Sequence, residues 1–441
     1  MVAFDHLVIV AGGKGTRLSV RFGDVPKALV PVGGKPVLQH QLELAARAGI
    51  RSATIFAGFL ANQISAFVGD GARFGLHIET RIEDAPLGNA GAVLNCLNAL
   101  PPRFFVMYGD VMLAVDLERM ARAHLAAGAA FTTFVHPNDH PFDSDLIETD
   151  ADGWVTALLN APHADGGFHA NLVNAALYVV ERDALRPFAG RAGKLDFTKD
   201  LIPGLIVSGA RVLAYRTAEY IKDMGTPERL ARVEADLESG KIELAGSGKL
   251  RPAVFLDRDG TLNQEKGHLA SHQSLTLLPG VGTVLKTLRQ AGYSLVVITN
   301  QPVIARGEAS EADVAAIHRR LEWELGKEGA YLDAVYFCPH HPDKGFPGER
   351  PELKIACACR KPGTAMIDQA VRELGLDRKT SWMIGDQTRD IEMAVRAGLR
   401  SVLVRTGTGG RDGRYAAVPD FIADDLPAAG GRILSQNKIM P

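Results

Sequence analysis

Two aspartates separated by one residue stand directly after an apolar run in Phe255-Leu256-Asp257-Arg258-Asp259-Gly260-Thr261-Leu262-Asn263. Three more polar tails follow in order: Ile298-Thr299-Asn300-Gln301, Cys359-Arg360-Lys361-Pro362 and Gly385-Asp386-Gln387-Thr388-Arg389-Asp390. Each tail follows a strand or loop pattern. All four can therefore meet at the C-terminal edge of one parallel sheet, where open α/β folds bind ligands. Between the second and third tails lie Cys338-Pro339-His340-His341-Pro342 and Cys357-Ala358-Cys359. Cys-x-His followed by Cys-x-Cys supplies the four ligands of a closed tetrahedral Zn²⁺ site, with His341 competing for the histidine place. Such a site is structural, and it would pin the loop that delivers Arg360 and Lys361. Near the other end, Val10-Ala11-Gly12-Gly13-Lys14-Gly15-Thr16-Arg17-Leu18 is rich in glycine. It is neither a dinucleotide fingerprint, which needs Gly in place of Leu18, nor a P-loop, which needs Ser or Thr directly after its Gly-Lys. What remains is a turn that lets backbone N–H groups approach a triphosphate, with Arg17 bearing on its charge.

These residues need elements to position them, and the pattern supplies them. Residues 6–10 form a continuous apolar run ending in glycines, as a buried strand should. Leu38, Leu42, Ala45 and Ala48 then recur at helical spacing, with Gly49 as a C-terminal cap. Residues 104–108 read as a strand running into Gly109-Asp110. Around residues 239–250 the text turns small and polar, as in a linker. A fresh strand starts at Ala253, and residues 294–298, 381–384 and 401–404 read as further strands. Ser310 with Asp313 offers a capping box for a helix through Val314, Ile317 and Leu321. The expectation is an α/β chain of two Rossmann-like domains, 1–238 and 251–435, joined by a linker at 239–250.

Composition agrees with that class. The chain has 441 residues, of which 46% are hydrophobic and 23% charged, so it can bury a core. Lys plus Arg (49) nearly balance Asp plus Glu (51), and the net charge of −2 argues against a nucleic-acid or polybasic membrane partner. No apolar run reaches the roughly 20 residues of a membrane span. The N-terminus lacks a basic signal-peptide region, and the 4 cysteines are too few for a disulfide framework. A cytoplasmic location is expected.

The glycine loop is followed by Pro26-Lys27-Ala28-Leu29-Val30-Pro31-Val32-Gly33-Gly34-Lys35-Pro36, Pro86-Leu87-Gly88-Asn89-Ala90-Gly91, Tyr108-Gly109-Asp110, Asn174-Ala175-Ala176 and Tyr220-Ile221-Lys222-Asp223-Met224-Gly225-Thr226-Pro227. In order, these resemble the signature of sugar 1-phosphate nucleotidyltransferases over roughly residues 4–237. The resemblance implies a nucleotidyltransferase (GT-A-like) domain. It places Gly12, Gly13, Gly15, Thr16 and Gly88 against the nucleotide, and Arg17 and Lys27 on its phosphates as catalytic cations. It also gives Mg²⁺ to Asp110 and Asp223, and puts Asn174 near the sugar. Relatives usually carry Glu-Lys-Pro where this chain has Asn160-Ala161-Pro162, and Lys199 is one cation that would replace the lost lysine.

The second set of motifs resembles the capless, zinc-loop branch of the haloacid dehalogenase-type phosphatases over about residues 252–410. The resemblance implies that Asp257 is the nucleophile, Asp259 the acid and base, and Thr299 and Lys361 the stabilisers of the phosphoryl oxygens. Mg²⁺ would sit on Asp257, Asp386 and the backbone carbonyl of Asp259, and substrate on Asn300, Gln301 and Arg360. Zinc would take Cys338, His340, Cys357 and Cys359. This branch includes heptose bisphosphate and histidinol phosphate phosphatases, and DRDGTLN, IARG, CPHHP and VLVRTG read closer to the heptose members. Pro302-Val303 and Gln387 depart from that pattern. The pairing implies a bifunctional enzyme that dephosphorylates a heptose bisphosphate and then activates the sugar with a nucleoside triphosphate, GTP favoured. Two rivals stay open: hexose phosphates or histidinol phosphate as substrates, and a transferase half reduced to sensing. Oligomeric state is not legible.

Overall fold

The structure, a computed structural model, describes residues 4–13, 18–83, 85–163, 167–246 and 250–437. It forms two compact units. The first comprises Met1–His136, Asp145–Ala161 and Leu172–Gly248, and the second Pro137–Ser144, Pro162–Asn171 and Lys249–Pro441.

In the first unit, His6–Ala11 pairs in parallel with both Ser52–Ala57 and Arg103–Tyr108. Leu7, Val8 and Ile9 are fully buried, which explains an apolar run without alternation. His77–Ile82 extends the parallel set, and Val173–Glu181 lies antiparallel on Arg103–Tyr108 within a nine-stranded mixed sheet. The helix Val37–Arg47 buries Leu38, Leu42 and Ala45 in the core beneath, and Gly49 follows it at φ 87°. Gln41 on this helix is buried, and its Nε2 donates to the carbonyls of Tyr108 at 2.8 Å and Val111 at 2.7 Å. That amide braces the turn carrying Asp110. A two-stranded ladder then pairs Val111–Ala114 with Tyr220–Asp223, setting Asp223 opposite Val111 and so beside Asp110.

The second unit is built on a six-stranded, all-parallel sheet. In spatial order it runs Ala334–Cys338, Ser294–Asn300, Ala253–Leu256, Trp382–Gly385, Arg400–Val404 and Phe421–Ala423. Winding goes one way from Ala253–Leu256 and then restarts on its other side at Trp382–Gly385. The switch point lies between the strands that end at Asp257 and Asp386, where such sheets open a crevice. Helix Glu311–Lys327 starts with the reciprocal Ser310–Asp313 capping box and buries Val314, Ile317, His318 and Leu321.

Two details differ from the sequence expectation. Part of the stretch expected as linker is helical: Lys241–Gly246 forms a turn and a half whose Ile242 is buried with Val30, Val32, Leu230 and Val233. An apolar residue at helical spacing outweighs the small polar residues around it. Two segments that precede residue 239 also belong to the second unit. Phe142 meets the Trp323 indole edge-on at 4.3 Å between centroids, Phe168 does so at 5.9 Å, and the Asn171 backbone N–H donates to Glu322 at 3.0 Å. A single cut at 239 therefore misses the aromatic cover of this helix.

Replacing Gln41 with Leu should leave two carbonyls without their donor and cost about 1–3 kcal/mol. Nucleotidyl transfer should fall with it, while phosphatase turnover stays unchanged. Urea titration and the two assays run side by side read this out.

Candidate active sites

At the switch point of the second unit, Asp257, Asp386 and Asp390 bring carboxylate oxygens within 4.8 Å of one another, all in buried residues. One buried ammonium lies among them: Lys361 Nζ is 2.8 Å from Asp257 Oδ1 and 2.7 Å from Asp390 Oδ1. Burial and neighbouring carboxylates outweigh that one cation. Burial, with Asp390 and Asp259 nearby, pushes Asp257 up to about 6 despite Lys361. Burial, then Asp257 and Asp390, pushes Asp386 up to about 8. Asp386 Oδ1 is buried without a hydrogen-bond partner. Three carboxylates, one ammonium and an orphaned buried oxygen fit a hard divalent cation bound by oxygen. Gly260 (φ 77°) must be glycine, since a Cβ there would lie 2.6 Å from Asp386 Oδ2.

Asp259 points into a different network. Arg258, fully buried, donates from Nη2 to Asp259 Oδ2 at 2.8 Å and from Nε to Oδ1 at 3.2 Å. Asn263 Nδ2 donates to Oδ1 at 2.9 Å and Gln301 Nε2 to Oδ2 at 3.0 Å. Burial raises the Asp259 carboxyl, but Arg258 and these donors more than offset it, and the group stays below its usual range. Behind Arg258, burial and the guanidinium hold His318 down to about 3, so the imidazole is neutral. Gln301 also donates to Thr299 Oγ1 at 2.8 Å, and Asn300 Oδ1 accepts the Lys361 backbone N–H at 2.9 Å.

The cysteine loops converge beside this site. Cys359 Sγ lies 3.2 Å from Cys338 and Cys357, Cys338 and Cys357 are 3.5 Å apart, and His340 Nδ1 is 3.3 Å from Cys359. Zn–S bonds of about 2.3 Å give tetrahedral S···S edges of about 3.8 Å, close to this spacing. His341 stands apart: its Nδ1 accepts from the Asp343 N–H at 3.2 Å and its Nε2 faces Arg306 at 3.4 Å. Arg360 Nη1 donates to the His340 carbonyl at 3.0 Å, tying the residue before Lys361 to the cluster.

In the first unit, Lys27 Nζ donates to Asp110 Oδ2 at 2.9 Å. Asp223 accepts from Arg229 Nη1 at 2.7 Å and from the Gly225 N–H at 2.9 Å. A Cβ on Gly225 would touch both Asp223 Oδ1 (3.1 Å) and Lys27 Nζ (3.8 Å), so Lys27, Asp110 and Asp223 share one locale. A Cβ on Gly13 would reach the Lys27 side chain at 4.0 Å, and one on Gly12 would meet the Glu83 carboxylate at 3.1 Å. Gly88 answers to a packing constraint: at φ 81° its Cβ would lie 2.3 Å from the Leu195 carbonyl oxygen. The Asn174 amide is engaged by Thr133 and Tyr178. Gly15, Thr16 and Arg17 lie outside the described residues. Asn89, unusual in the motif, bonds Asp196 at 2.5 Å and the Phe197 N–H at 2.8 Å. Lys199 is exposed in the segment that follows.

Sequence reasoning passed over Asp390, Arg258 and His318. Asp390 lies in the first turn of the helix Thr388–Ala397, four residues after Asp386, where an acid is ordinary. His318 had no signal beyond its place on a buried helix face. Arg389, also passed over, donates from Nε to Gln387 Oε1 at 2.7 Å.

Comparison with known proteins bears on both sites. A family model described as nucleotidyl transferase matches residues 6–240. The chain belongs to the nucleotidyl transferase family. A HAD-hydrolase-like model matches residues 358–429. Over 157 residues the chain is 41% identical to the D-glycero-beta-D-manno-heptose-1,7-bisphosphate 7-phosphatase of Yersinia pestis, covering 35% of this chain and 81% of that protein. It therefore belongs to that phosphatase family too. Among solved structures, HddC from Yersinia pseudotuberculosis is 23% identical with a TM-score of 0.46, over 53% of this chain and all (100%) of that one. The D,D-heptose 1.7-bisphosphate phosphatase from B. bronchiseptica, complexed with magnesium and phosphate, is 32% identical with a TM-score of 0.37, over 42% and 99%. The nucleotidyl transferase and phosphatase activities reside in one enzyme. No helix among the described residues is long and apolar enough to cross a membrane.

Asp390→Asn should remove one of the two carboxylates that hold Lys361 and slow phosphatase turnover on the order of 100-fold, the scale of a misplaced catalytic group. Nucleotidyl transfer should not change. Asp223→Asn should show the reverse pattern, and equal losses in both assays with the fold intact would contradict two separate sites.

Proposed function

We propose that the enzyme hydrolyses the C7 phosphate of D-glycero-D-manno-heptose 1,7-bisphosphate and transfers a nucleotidyl group, GMP favoured, to the resulting heptose 1-phosphate. The observation that carries this reading is the pairing. A phosphatase half 41% identical to a heptose bisphosphate phosphatase shares one chain with a half that matches the nucleotidyl transferase model and whose motifs resemble those of sugar 1-phosphate nucleotidyltransferases. GTP is favoured as donor because the first half resembles guanylyltransferases of heptose 1-phosphate.

In the phosphatase reaction Asp259, ionised in the free site, takes up a proton from water; Asp257 then attacks phosphorus, and the bond to the sugar oxygen breaks as Asp259 gives that oxygen the proton. Water then attacks the aspartyl phosphate, Asp259 takes its proton, and Asp257 is regenerated with release of phosphate. Lys361 and Thr299 would donate to the phosphoryl oxygens, and Asn300, Gln301 and Arg360 would border the substrate. Asp257, Asp386 and the Asp259 carbonyl would hold Mg²⁺, which supplies charge neutralisation for a carboxylate meeting a phosphate. In the transferase reaction the sugar phosphate oxygen attacks the α-phosphorus in line and pyrophosphate leaves. No protein nucleophile is required. Lys27 and Arg17 neutralise phosphate charge, the loop of Gly12, Gly13, Gly15 and Thr16 supplies backbone donors, and Asp110 and Asp223 would hold Mg²⁺.

Zinc is the metal proposed for Cys338, His340, Cys357 and Cys359. Protein purified without chelator should contain one zinc per chain by elemental analysis. Cys359→Ser should lose phosphatase activity through a loosened Lys361 and keep nucleotidyl transfer; metal-free native protein would refute the assignment.

The phosphatase is proposed to act first. A C7 phosphate entering the transferase pocket would bring about two more negative charges, costly to bury without partners. Asp257→Asn enzyme given heptose 1,7-bisphosphate, Mg²⁺ and GTP should release little pyrophosphate until heptose 1-phosphate is added. Rapid release from the bisphosphate would reverse the order. No release with either sugar, while a hexose 1-phosphate works, would replace the substrate.

A further inference from the structure

Arg258 sits between the two aspartates assigned to the chemistry, fully buried, and its two terminal nitrogens have partners besides Asp259. Its Nη2 is shared between Asp259 Oδ2 (2.8 Å) and Gln301 Oε1 (2.9 Å), and its Nη1 meets His318 Nε2 at 3.2 Å. A guanidinium N–H can only donate, so His318 Nε2 must be the bare, accepting nitrogen. His318 is buried on the helix Glu311–Lys327, its ring 5.4 Å from that of Phe337. One turn along, the same helix is seated by Phe142 and Phe168 against Trp323 and by the Asn171 N–H on Glu322. Without an acceptor at His318, Nη1 would be a buried charged donor with nothing to bond. The planar fork would then rotate to find one, and both N–H bonds to Asp259 lie in that same plane.

We infer that His318 is a positioning residue for phosphoryl transfer: through Arg258 it fixes the orientation of the Asp259 carboxyl relative to the leaving oxygen of the substrate phosphate that Asp257 attacks. This rests on Asp259 being the acid and base. The step affected is the one in which the P–O bond to the leaving group breaks while that to Asp257 forms, the leaving oxygen receiving Asp259's proton. A leaving group that departs unprotonated does not need the proton, so the effect must depend on the leaving group.

The test uses the full-length enzyme with p-nitrophenyl, phenyl and benzyl phosphate, following alcohol release in single turnover. His318→Leu should slow benzyl phosphate roughly 10–100-fold, a share of what general acid catalysis supplies, while p-nitrophenyl phosphate stays within about twofold. His318→Gln, whose amide oxygen can accept from Arg258, should recover most of the loss, and the shorter His318→Asn should not. If His318→Leu does not fold, the Gln and Asn pair carries the same comparison. Asp259→Asn is the reference. Lack of leaving-group dependence in Asp259→Asn would mean that Asp259 is not the acid. A steep dependence in Asp259→Asn with equal or no losses across the esters in the His318 variants would overturn the positioning role alone.

Discussion

Carboxylates buried side by side repel one another and lose hydration, and they persist only where cations sit among them. The second unit brings Asp257, Asp386 and Asp390 together at a sheet edge with a single ammonium, Lys361, between two of them. Much of the surrounding structure follows from that shortage of positive charge. Gly260 and Gly407 leave room for the Asp386 carboxylate, and the Thr408 N–H donates to it at 2.6 Å. Arg258 pairs with Asp259, so the fourth carboxylate carries its own counter-charge.

Lys361 must therefore be delivered accurately, and it comes from a loop rather than a strand. Its backbone N–H is held by Asn300 at the end of the neighbouring strand. Two residues earlier in the chain, Cys359 belongs to the Cys/His cluster, and Arg360 between them grips the His340 carbonyl. A metal bound there would supply stiffness that a loop lacks on its own. The first unit solves its positioning differently: a buried amide on a helix, Gln41, braces the Asp110 turn, and a two-stranded ladder brings Asp223 alongside.

The residues proposed to touch substrate or metal are tied to short motifs, most of them directly after strands, and so could be proposed from the text. Their neighbours could not. Asp390 reads as an ordinary first-turn acid until the fold shows what lies opposite it, and His318 is one more residue on an amphipathic face. The linker misled because glycine and serine report local freedom, whereas Ile242 finds its partners in strands and helices far away in sequence. Phe142 and Phe168 were illegible for the same reason: nothing near them names Trp323. Local chemistry is written locally, and tertiary support is not.

The aromatic cover of Trp323 bears on how such a gene can be inherited. Phe142 and Phe168 are encoded within the transferase half, yet their rings complete a helix of the phosphatase. A recombination event at residues 239–250 would transmit each set of catalytic motifs whole, but would part the indole from the two rings that shield it. The halves are thus interlocked in coding sequence, through stretches that hold none of the motifs described above.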